Sequence, residues 1–447
     1  MSSKATLMTE GSIYKQIIKF SFPILCGNIF QQLYNMVDSL VIGNFVGKES
    51  LAAVSSTSSL IFLLVGLFTG IFSGAGVVIS KYFGAGDTKN IQASIHTSVA
   101  FGIISGVVMT IIGTLLAPQI LKLMGTPEIV FDKAIIYVRI YFLGIITVVL
   151  YNTASGIFQA VGNSKSPLYY LITSSIVNVV LDLLFVVVFK MGIAGAAIAT
   201  VIAQGVSVCL AFYNLSHTAD VHRVNFKKIK IHKDMLKEIL SMGIPSGVQN
   251  SVIALANVVV QSNINSFGAT AVAGCGSYSK IEGFAFIPIT SFALSMTTFI
   301  GQNLGSKKYE RAKKGTYFGI ATSTILAEII GIIFFLAAPT LIALFNSDPQ
   351  VIEYGTLQAR TIAPFFFLLA FSHCLAGILR GAGKSTVPML VMLSCWCIIR
   401  VLYITIATHL IPEIYVIFWA YPLTWSLSSI IFLIYYLKSN WLYGFEK

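Results

Sequence analysis

Gly-Ile-Phe-Gln-Ala-Val-Gly-Asn-Ser-Lys-Ser-Pro occupies residues 156–167, and Gly-Ile-Leu-Arg-Gly-Ala-Gly-Lys-Ser-Thr-Val-Pro occupies residues 377–388. The two stretches lie 221 positions apart, and Gly156, Ile157, Gly162, Ser164 and Pro167 recur as Gly377, Ile378, Gly383, Ser385 and Pro388. Within a few residues the same offset pairs Pro23 with Pro245, Phe45 with Phe267, and Gly86-x-x-Lys89 with Gly305-x-x-Lys308. Agreement at four places reads as an internal duplication. Each copy sits at the end of a long apolar run, so the duplicated unit is a set of membrane spans.

Composition says the same. Of 447 residues, 56% are apolar and only 10% charged, against roughly 25% charged in soluble proteins. Mean hydropathy is +0.84. So few charges cannot cover a globular surface in water. The apolar runs are long and unbroken, which excludes the alternation of a membrane β-barrel. Twelve segments are long enough to cross a bilayer: 16–46, 51–80, 92–120, 134–162, 166–189, 192–214, 237–267, 270–301, 314–341, 352–382, 385–410 and 413–437. The expected fold is all-α and integral to the membrane, with two six-helix lobes in parallel repeat. Lobe one covers 13–214, a polar basic linker covers 215–236, and lobe two covers 237–437.

Of the 29 Lys and Arg residues, 21 fall on the side shared by both termini and at most six on the other. The positive-inside rule then places both termini in the cytoplasm, and the expected membrane is the plasma (inner) membrane. The same distribution explains the net charge of +12 without nucleic acid. No cleavable signal peptide is expected, because the first apolar run is too long for an h-region. The six cysteines lie in apolar runs and read as small hydrophobes. The Cys395-x-Cys397 pair lacks the second pair or nearby His of a metal site. There is no phosphate-binding glycine loop of the G-x-x-x-x-G-K-[ST] type, which excludes an ATP-driven pump in this chain.

Ionisable residues in mid-span are costly and are functional candidates by default. In the first span Asn28, Gln31, Asn35 and Asp38 recur every three or four residues and form one polar stripe, flanked by Tyr34. The fifth span carries Asn178 and Asp182 on one face with Ser174. The sixth has Thr200 and Gln204, and the fourth has Asn152, Ser155 and Gln159. Two carboxyls amid amide and hydroxyl oxygens suit a proton or a sodium ion. The offset carries Asp38 to Val259 and Asp182 to Tyr403, so the second lobe lacks both acids and instead places Arg400 nearby. Ion coupling is therefore expected in the first lobe. Lys280 and Glu282, early in the eighth span, are candidate partners of each other or of Arg400. Glu328 has no evident partner, and His373 reads as a packed polar residue rather than a relay.

Parallel six-span repeats are one of the symmetries of secondary transporters. In its twelve-span layout the chain resembles the multidrug and toxic compound extrusion (MATE) family over about 13–437. Pro23 before the Asn35-x-x-Asp38 stripe, Gly86-x-x-Lys89, the 156–167 stretch and Asn178-x-x-x-Asp182 carry the likeness. The resemblance implies a secondary antiporter, not an enzyme, that exports organic and often cationic or lipophilic compounds against entry of H+ or Na+. In the DinF-like subgroup the ion site lies in the first lobe; carried over, it comprises Asp38, Asn178, Asp182, Thr200 and the carbonyl of Ala196. The NorM-like subgroup adds acids in spans seven and ten. Here span seven offers only Gln249, Asn250, Asn257 and Gln261, and span ten has no acid beyond Glu353 at its outer end. The expected substrate cavity takes in Gln31, Tyr34, Asn35, Asn152, Gln204, Asn257, Lys280, Glu282 and Arg400. No cofactor beyond the coupling ion is implied, and the expected partners are small-molecule substrates and membrane lipid around a monomer. One rival is a lipid or lipid-linked oligosaccharide flippase, which needs a basic cavity where this first lobe is acidic. Another is a membrane-embedded transferase, which needs a catalytic set at a water face that this sequence does not offer.

Overall fold

The computed structural model describes residues 5–124, 126 and 128–446, so Lys4 and Lys447 of the charge census lie outside the described residues. Among the described residues there are helices and no strands. In chain order the helices are α1 Ile13–Val41, α2 Lys48–Ala85, α3 Thr88–Leu123, α4 Glu128–Leu143, α5 Ile145–Ala160, α6 Lys165–Asp182 and α7 Gly192–His217. The second half follows with α8 Lys233–Asn265, α9 Ala269–Gly305, α10 Tyr309–Ala343, α11 Pro349–Ile362, α12 Phe366–Gly381, α13 Thr386–Met392, α14 Arg400–Leu410 and α15 Ile414–Lys438. A bilayer offers the backbone no hydrogen-bond partners, so these apolar segments satisfy their own amides as helices.

Among the described residues ten helical stretches are long and apolar enough to cross a membrane, and the pair α4 and α5, bent by 47°, makes up to eleven. The remaining span of the sequence reading is α1. It carries the polar stripe of Asn28, Gln31, Asn35 and Asp38 and is not among the stretches that qualify by length and hydropathy. Ile42–Val46 continues α1 as a wide π turn, Leu183–Val188 does so after α6, and Leu393–Ile399 bridges α13 to α14.

The duplication is written into the backbone. Gly47 and Gly268, at the starts of α2 and α9, share φ near +100° with extended ψ. Gly86 and Lys307, after the same two helices, are both left-handed, with φ of +70° and +59°. Gly162 and Gly383, inside the stretches quoted above, have φ of +79° and +76°. Each pair is 221 residues apart. Glycine is the residue that tolerates such turns, which explains why it recurs in the first and third of these pairs.

The chain divides into two compact units. Unit 1 comprises residues 1–7 and 22–244, and unit 2 comprises 8–21 and 245–447. The linker 215–236 therefore packs within unit 1, and the first turns of α1 and α8 divide from the rest of their helices beside Pro23 and Pro245. In unit 1, α3 packs against α2, α4 and α5, and α6 packs against α7. Phe72, Met109, Phe142 and Val149 fill one apolar core; Phe83, Ile95, Phe158 and Leu215 fill another. In unit 2, α9 packs against α10, α11 and α12, and α15 covers α12 and α14. All six cysteines are free thiols; Cys209 is exposed, and Cys26 is half-buried.

Candidate ion and substrate sites

Three helices of unit 1 bring the sequence-predicted acids together. Asp182 ends α6 with no exposed surface and Asn178 lies one turn before it, equally buried. Asp38 comes from α1 and is half-buried. The two carboxyls lie within hydrogen-bonding reach of each other. Asp38 Oδ1 and Asp182 Oδ1 are both enclosed and neither has a donor. Two bare carboxylates repel in so confined a space, so the arrangement calls for a proton or a cation between them.

The surrounding oxygens come from α7. Thr200 Oγ1 donates to the Ala196 carbonyl at 3.1 Å, and the Asn178 amide nitrogen lies 3.5 Å from Thr200 Oγ1. Turning that amide satisfies it better: its nitrogen donates to Asp182 Oδ2 at 2.8 Å and its oxygen accepts from the Thr200 N–H at 3.3 Å. Tyr34 lies within reach of the Thr200 hydroxyl and beside Asp38. Asp38, Asn178, Asp182, Thr200 and Ala196 therefore form one cluster. Sequence reasoning missed Tyr137, which α4 presents to the same acids and to Tyr34, and Tyr141, which lies beside Tyr34. Their rings stack with centroids 6.4 Å apart. Their i, i+4 spacing is a signal, but in an apolar span it reads as ordinary packing.

Cavities open among the described residues of unit 1. One, of about 130 Å³, is lined by Asn28 and Gln31 from α1, Asn152, Ser155 and Gln159 from α5, and Pro167 from α6, among others. A smaller one of about 10 Å³ lies between Phe68, Phe72, Met109 and Asn152, so Asn152 faces both. Of the other expected cavity residues, Asn35 is exposed and Gln204 holds an enclosed Oε1 without a donor.

In unit 2 the predicted residues separate. Asn257 is exposed. Lys280 is exposed too, its Nζ 5.5 Å from the Phe345 ring centroid. Glu282 accepts a hydrogen bond from Tyr278 at 3.1 Å and faces Arg400 rather than Lys280. Glu328, partnerless in sequence, accepts from the Phe367 N–H at 3.4 Å, near the start of α12. His373 packs edge-on against Phe286 and Trp396.

A family model described as MatE matches residues 23–184 and 245–406, one copy on each repeat. The probable multidrug resistance protein YpnP of Bacillus subtilis (strain 168) is 30% identical over 88% of this chain and 88% of its own. The multidrug export protein MepA of Staphylococcus aureus (strain MRSA252) is 23% identical, again over 88% of each chain. Among solved structures, one described as the outward-facing conformation of a multidrug resistance MATE family transporter of the MOP superfamily superposes with a TM-score of 0.92, at 22% identity and over 100% of both chains. A MOP superfamily transporter from Pyrococcus furiosus Vc1 (DSM3638) matches with a TM-score of 0.92 at 23% identity, over 100% of both chains.

Proposed function

The chain belongs to the MATE family of multi-pass membrane transporters, and from that premise we propose that it exports organic, cationic or lipophilic compounds in exchange for H+ or Na+ by alternating access. It is a transporter and not an enzyme, and its substrates are small molecules. The observation that carries the coupling is the meeting of Asp38 and Asp182, each with an enclosed oxygen that has no donor.

A proton on one carboxyl turns that group into a donor to the other and removes the repulsion. A sodium ion would take the same carboxyl oxygens together with Asn178, Thr200 and the Ala196 carbonyl, an all-oxygen set suited to a hard cation. The two ions therefore compete. Gln31 of the polar cavity and Asp38 of the ion site lie two turns apart on α1, roughly 10 Å along its axis. Occupancy of the ion site and the position of the cavity wall are thus linked through one helix. One charge entering down 100 mV supplies about 2.3 kcal/mol, enough to drive roughly fiftyfold accumulation. Both termini are read as cytoplasmic, the membrane as the plasma (inner) membrane, and the working unit as a monomer in lipid. The DinF-like placement of the ion site in the first repeat fits this reading.

The test is dye transport by the purified chain in proteoliposomes with imposed pH or sodium gradients. Gradient-driven uptake of a cationic dye is expected. Dye flux that ignores both gradients, or none under either, overturns the proposal.

A further inference from the structure

The linker between the repeats carries a charge that the ion site does not use. Residues 221–237 hold Arg223, Lys227, Lys228, Lys230, Lys233 and Lys237 against a single acid, Asp234, and all of these side chains are exposed. Topology alone gathers basic residues on the side read as cytoplasmic. What distinguishes the linker is what its basic groups meet. Elsewhere on that side the protein itself engages them. Lys81 pairs with Glu238, Lys308 donates to the Thr9 carbonyl at 3.0 Å, and Arg311 donates to the Gly11 carbonyl at 2.7 Å. In the linker, Arg223 donates through Nε to the Ser216 carbonyl at 2.9 Å. The ion pairs among the described residues, Lys81 with Glu238 and Lys133 with Glu49, include none of the five linker lysines.

The segment that carries these lysines is pinned within unit 1. The Gln92 side chain donates to the Arg223 carbonyl, the Asn225 N–H to His96 Nε2 and the His232 N–H to Thr97 Oγ1, each at 3.1 Å. Gln92, His96 and Thr97 lie on the first three turns of α3, so the linker runs beside that end of the helix. α3 has 36 residues. At 1.5 Å per residue it is roughly 54 Å long, against a hydrocarbon core of roughly 30 Å. Shared between the two ends, the excess is about 12 Å, which takes in the turns that hold the linker. The linker therefore lies at the level of the lipid headgroups. It also turns apolar groups outward there. Phe226, which opens a short helical turn with Lys227 and Lys228, is 58% exposed, and Ile231 is 37% exposed. An apolar tip between lysines suits a headgroup boundary, where the ring enters the acyl edge and the ammonium groups stay with phosphate.

We propose that residues 221–237 form a docking site for anionic phospholipid, with the lysine ammonium groups on the headgroup phosphates and Phe226 in the acyl boundary. Charge complementarity selects an anionic headgroup over a zwitterionic one. The partner is a lipid surface rather than a soluble anion, because only a bilayer offers phosphate and hydrocarbon together at that depth. Unit 1, which holds the ion site, is thereby tied to the charge of the leaflet around it. The site goes beyond the export reading and stands whether or not that reading holds.

Phe226→Trp in nanodiscs tests it, because bromine on an acyl chain quenches an indole only at contact range. Subtracting the emission of the wild type, whose own tryptophans are Trp396, Trp419, Trp425 and Trp441, leaves the signal of position 226. Nanodiscs offer the same lipid in both leaflets, so the result does not depend on which side faces the cytoplasm. Equimolar phosphatidylcholine and phosphatidylglycerol are used, with the bromine on one lipid or on the other. At low salt, quenching is expected to be at least about twofold stronger when phosphatidylglycerol carries the bromine. The ratio should fall toward one in 1 M salt, where the Debye length is about 3 Å. Lys227→Glu/Lys228→Glu/Lys230→Glu, in the same Phe226→Trp background, should abolish the preference at low salt. Equal quenching by the two lipids at low salt overturns the headgroup recognition. No quenching by either shows the linker standing away from the bilayer and overturns the site. A preference that survives 1 M salt or the charge reversal overturns the assignment to these lysines. The salt series needs no charge variant, so it decides the matter even if the triple variant fails to fold.

Discussion

Lys81 Nζ meets Glu238 Oε1 at 2.7 Å, and Tyr82 donates to the other oxygen of that carboxylate at 2.8 Å. Lys81 lies just before the last turn of α2, and Glu238 lies on the opening turns of α8, which pack within unit 1. The helices cross very closely here: a Cβ on Gly74 would stand 2.3 Å from the Gly243 backbone nitrogen. Both charged side chains are about one-fifth exposed, so the ion pair alone is worth roughly 0.5–1 kcal/mol. Glu238→Lys is expected to raise hydrogen exchange at the end of α2, and the swap Lys81→Glu/Glu238→Lys to restore at least half of the protection. No recovery in the swapped protein would show that the backbone crossing, not the charge pair, holds this end.

Gly162 gives a sharper stability test. Its φ of +79° is strained for any residue with a Cβ, and an added Cβ would stand 2.0 Å from the Thr6 carbonyl oxygen. The Thr6 N–H also donates to Val161 at 2.9 Å, so the N-terminal segment cannot easily withdraw. Gly162→Ala should cost on the order of 2 kcal/mol or more. Thermal unfolding in detergent measures it, and a melting temperature equal to wild type would contradict the clash.

The linker should respond to acid through His222. This ring is fully buried against Phe158, and neither nitrogen has a hydrogen-bond partner. Burial holds the imidazole below the ordinary histidine range, against the opposing pull of Asp220. When the linker is undocked the ring titrates near 6.5. Docking is therefore at full strength above about pH 6.5 and weakens as pH falls below it, because the undocked form takes up the proton first. Hydrogen exchange in 218–232, corrected for intrinsic rates, should be faster at about pH 5.5 than at about pH 7.5. His222→Phe should flatten that difference, and an unaltered pH response in the variant would assign the effect to another group.

Much of this was legible before any coordinates, because lipid imposes strict rules on sequence. Unbroken apolar runs announce helices, and a carboxylate such as Asp38 in mid-span demands a reason. Gly162 and Gly383 were visible as an identity, but the sequence paired Gly86 with Gly305, because Lys307 hides the turn that matches Gly86 behind a changed side chain. What sequence could not resolve was direction around a helix axis between segments with no common period. Lys280 and Glu282 are neighbours in the chain, yet only Glu282 turns toward Arg400. Tyr137 and Tyr141 escaped notice because tyrosine in an apolar span satisfies the packing pattern without marking a site.

Asp38→Asn tests whether the carboxyl pair couples transport. The amide keeps the volume and a donor toward Asp182 but cannot release a proton or contribute a negative charge to a cation. Expression and folding should be retained, while gradient-driven dye export should be lost. Efflux at the wild-type rate would remove Asp38 from the coupling machinery. Asp182→Asn should behave alike, since the two carboxyls act as one unit and the double variant should cost no more than either single one.

Thr200 separates the two candidate ions. Its hydroxyl is an oxygen that sodium could use, but it is not needed for a proton shared between Asp38 and Asp182. The hydroxyl now donates to the Ala196 carbonyl at 3.1 Å, so Thr200→Ala removes one candidate ligand and frees another while leaving both acids. If sodium and protons compete for the same carboxyl oxygens, each proton must leave before the metal enters, and apparent sodium affinity rises with pH in the wild type. Sodium-dependent transport measured across a pH series should show that rise. In Thr200→Ala the sodium dependence should weaken at every pH, while proton-driven transport in sodium-free buffer should change much less. Equal losses in the two modes would mean that Thr200 only supports α7 against Asn178. Wild-type transport indifferent to sodium at every pH would leave the aspartates carrying protons alone, with Thr200 orienting the Asn178 amide that meets Asp182.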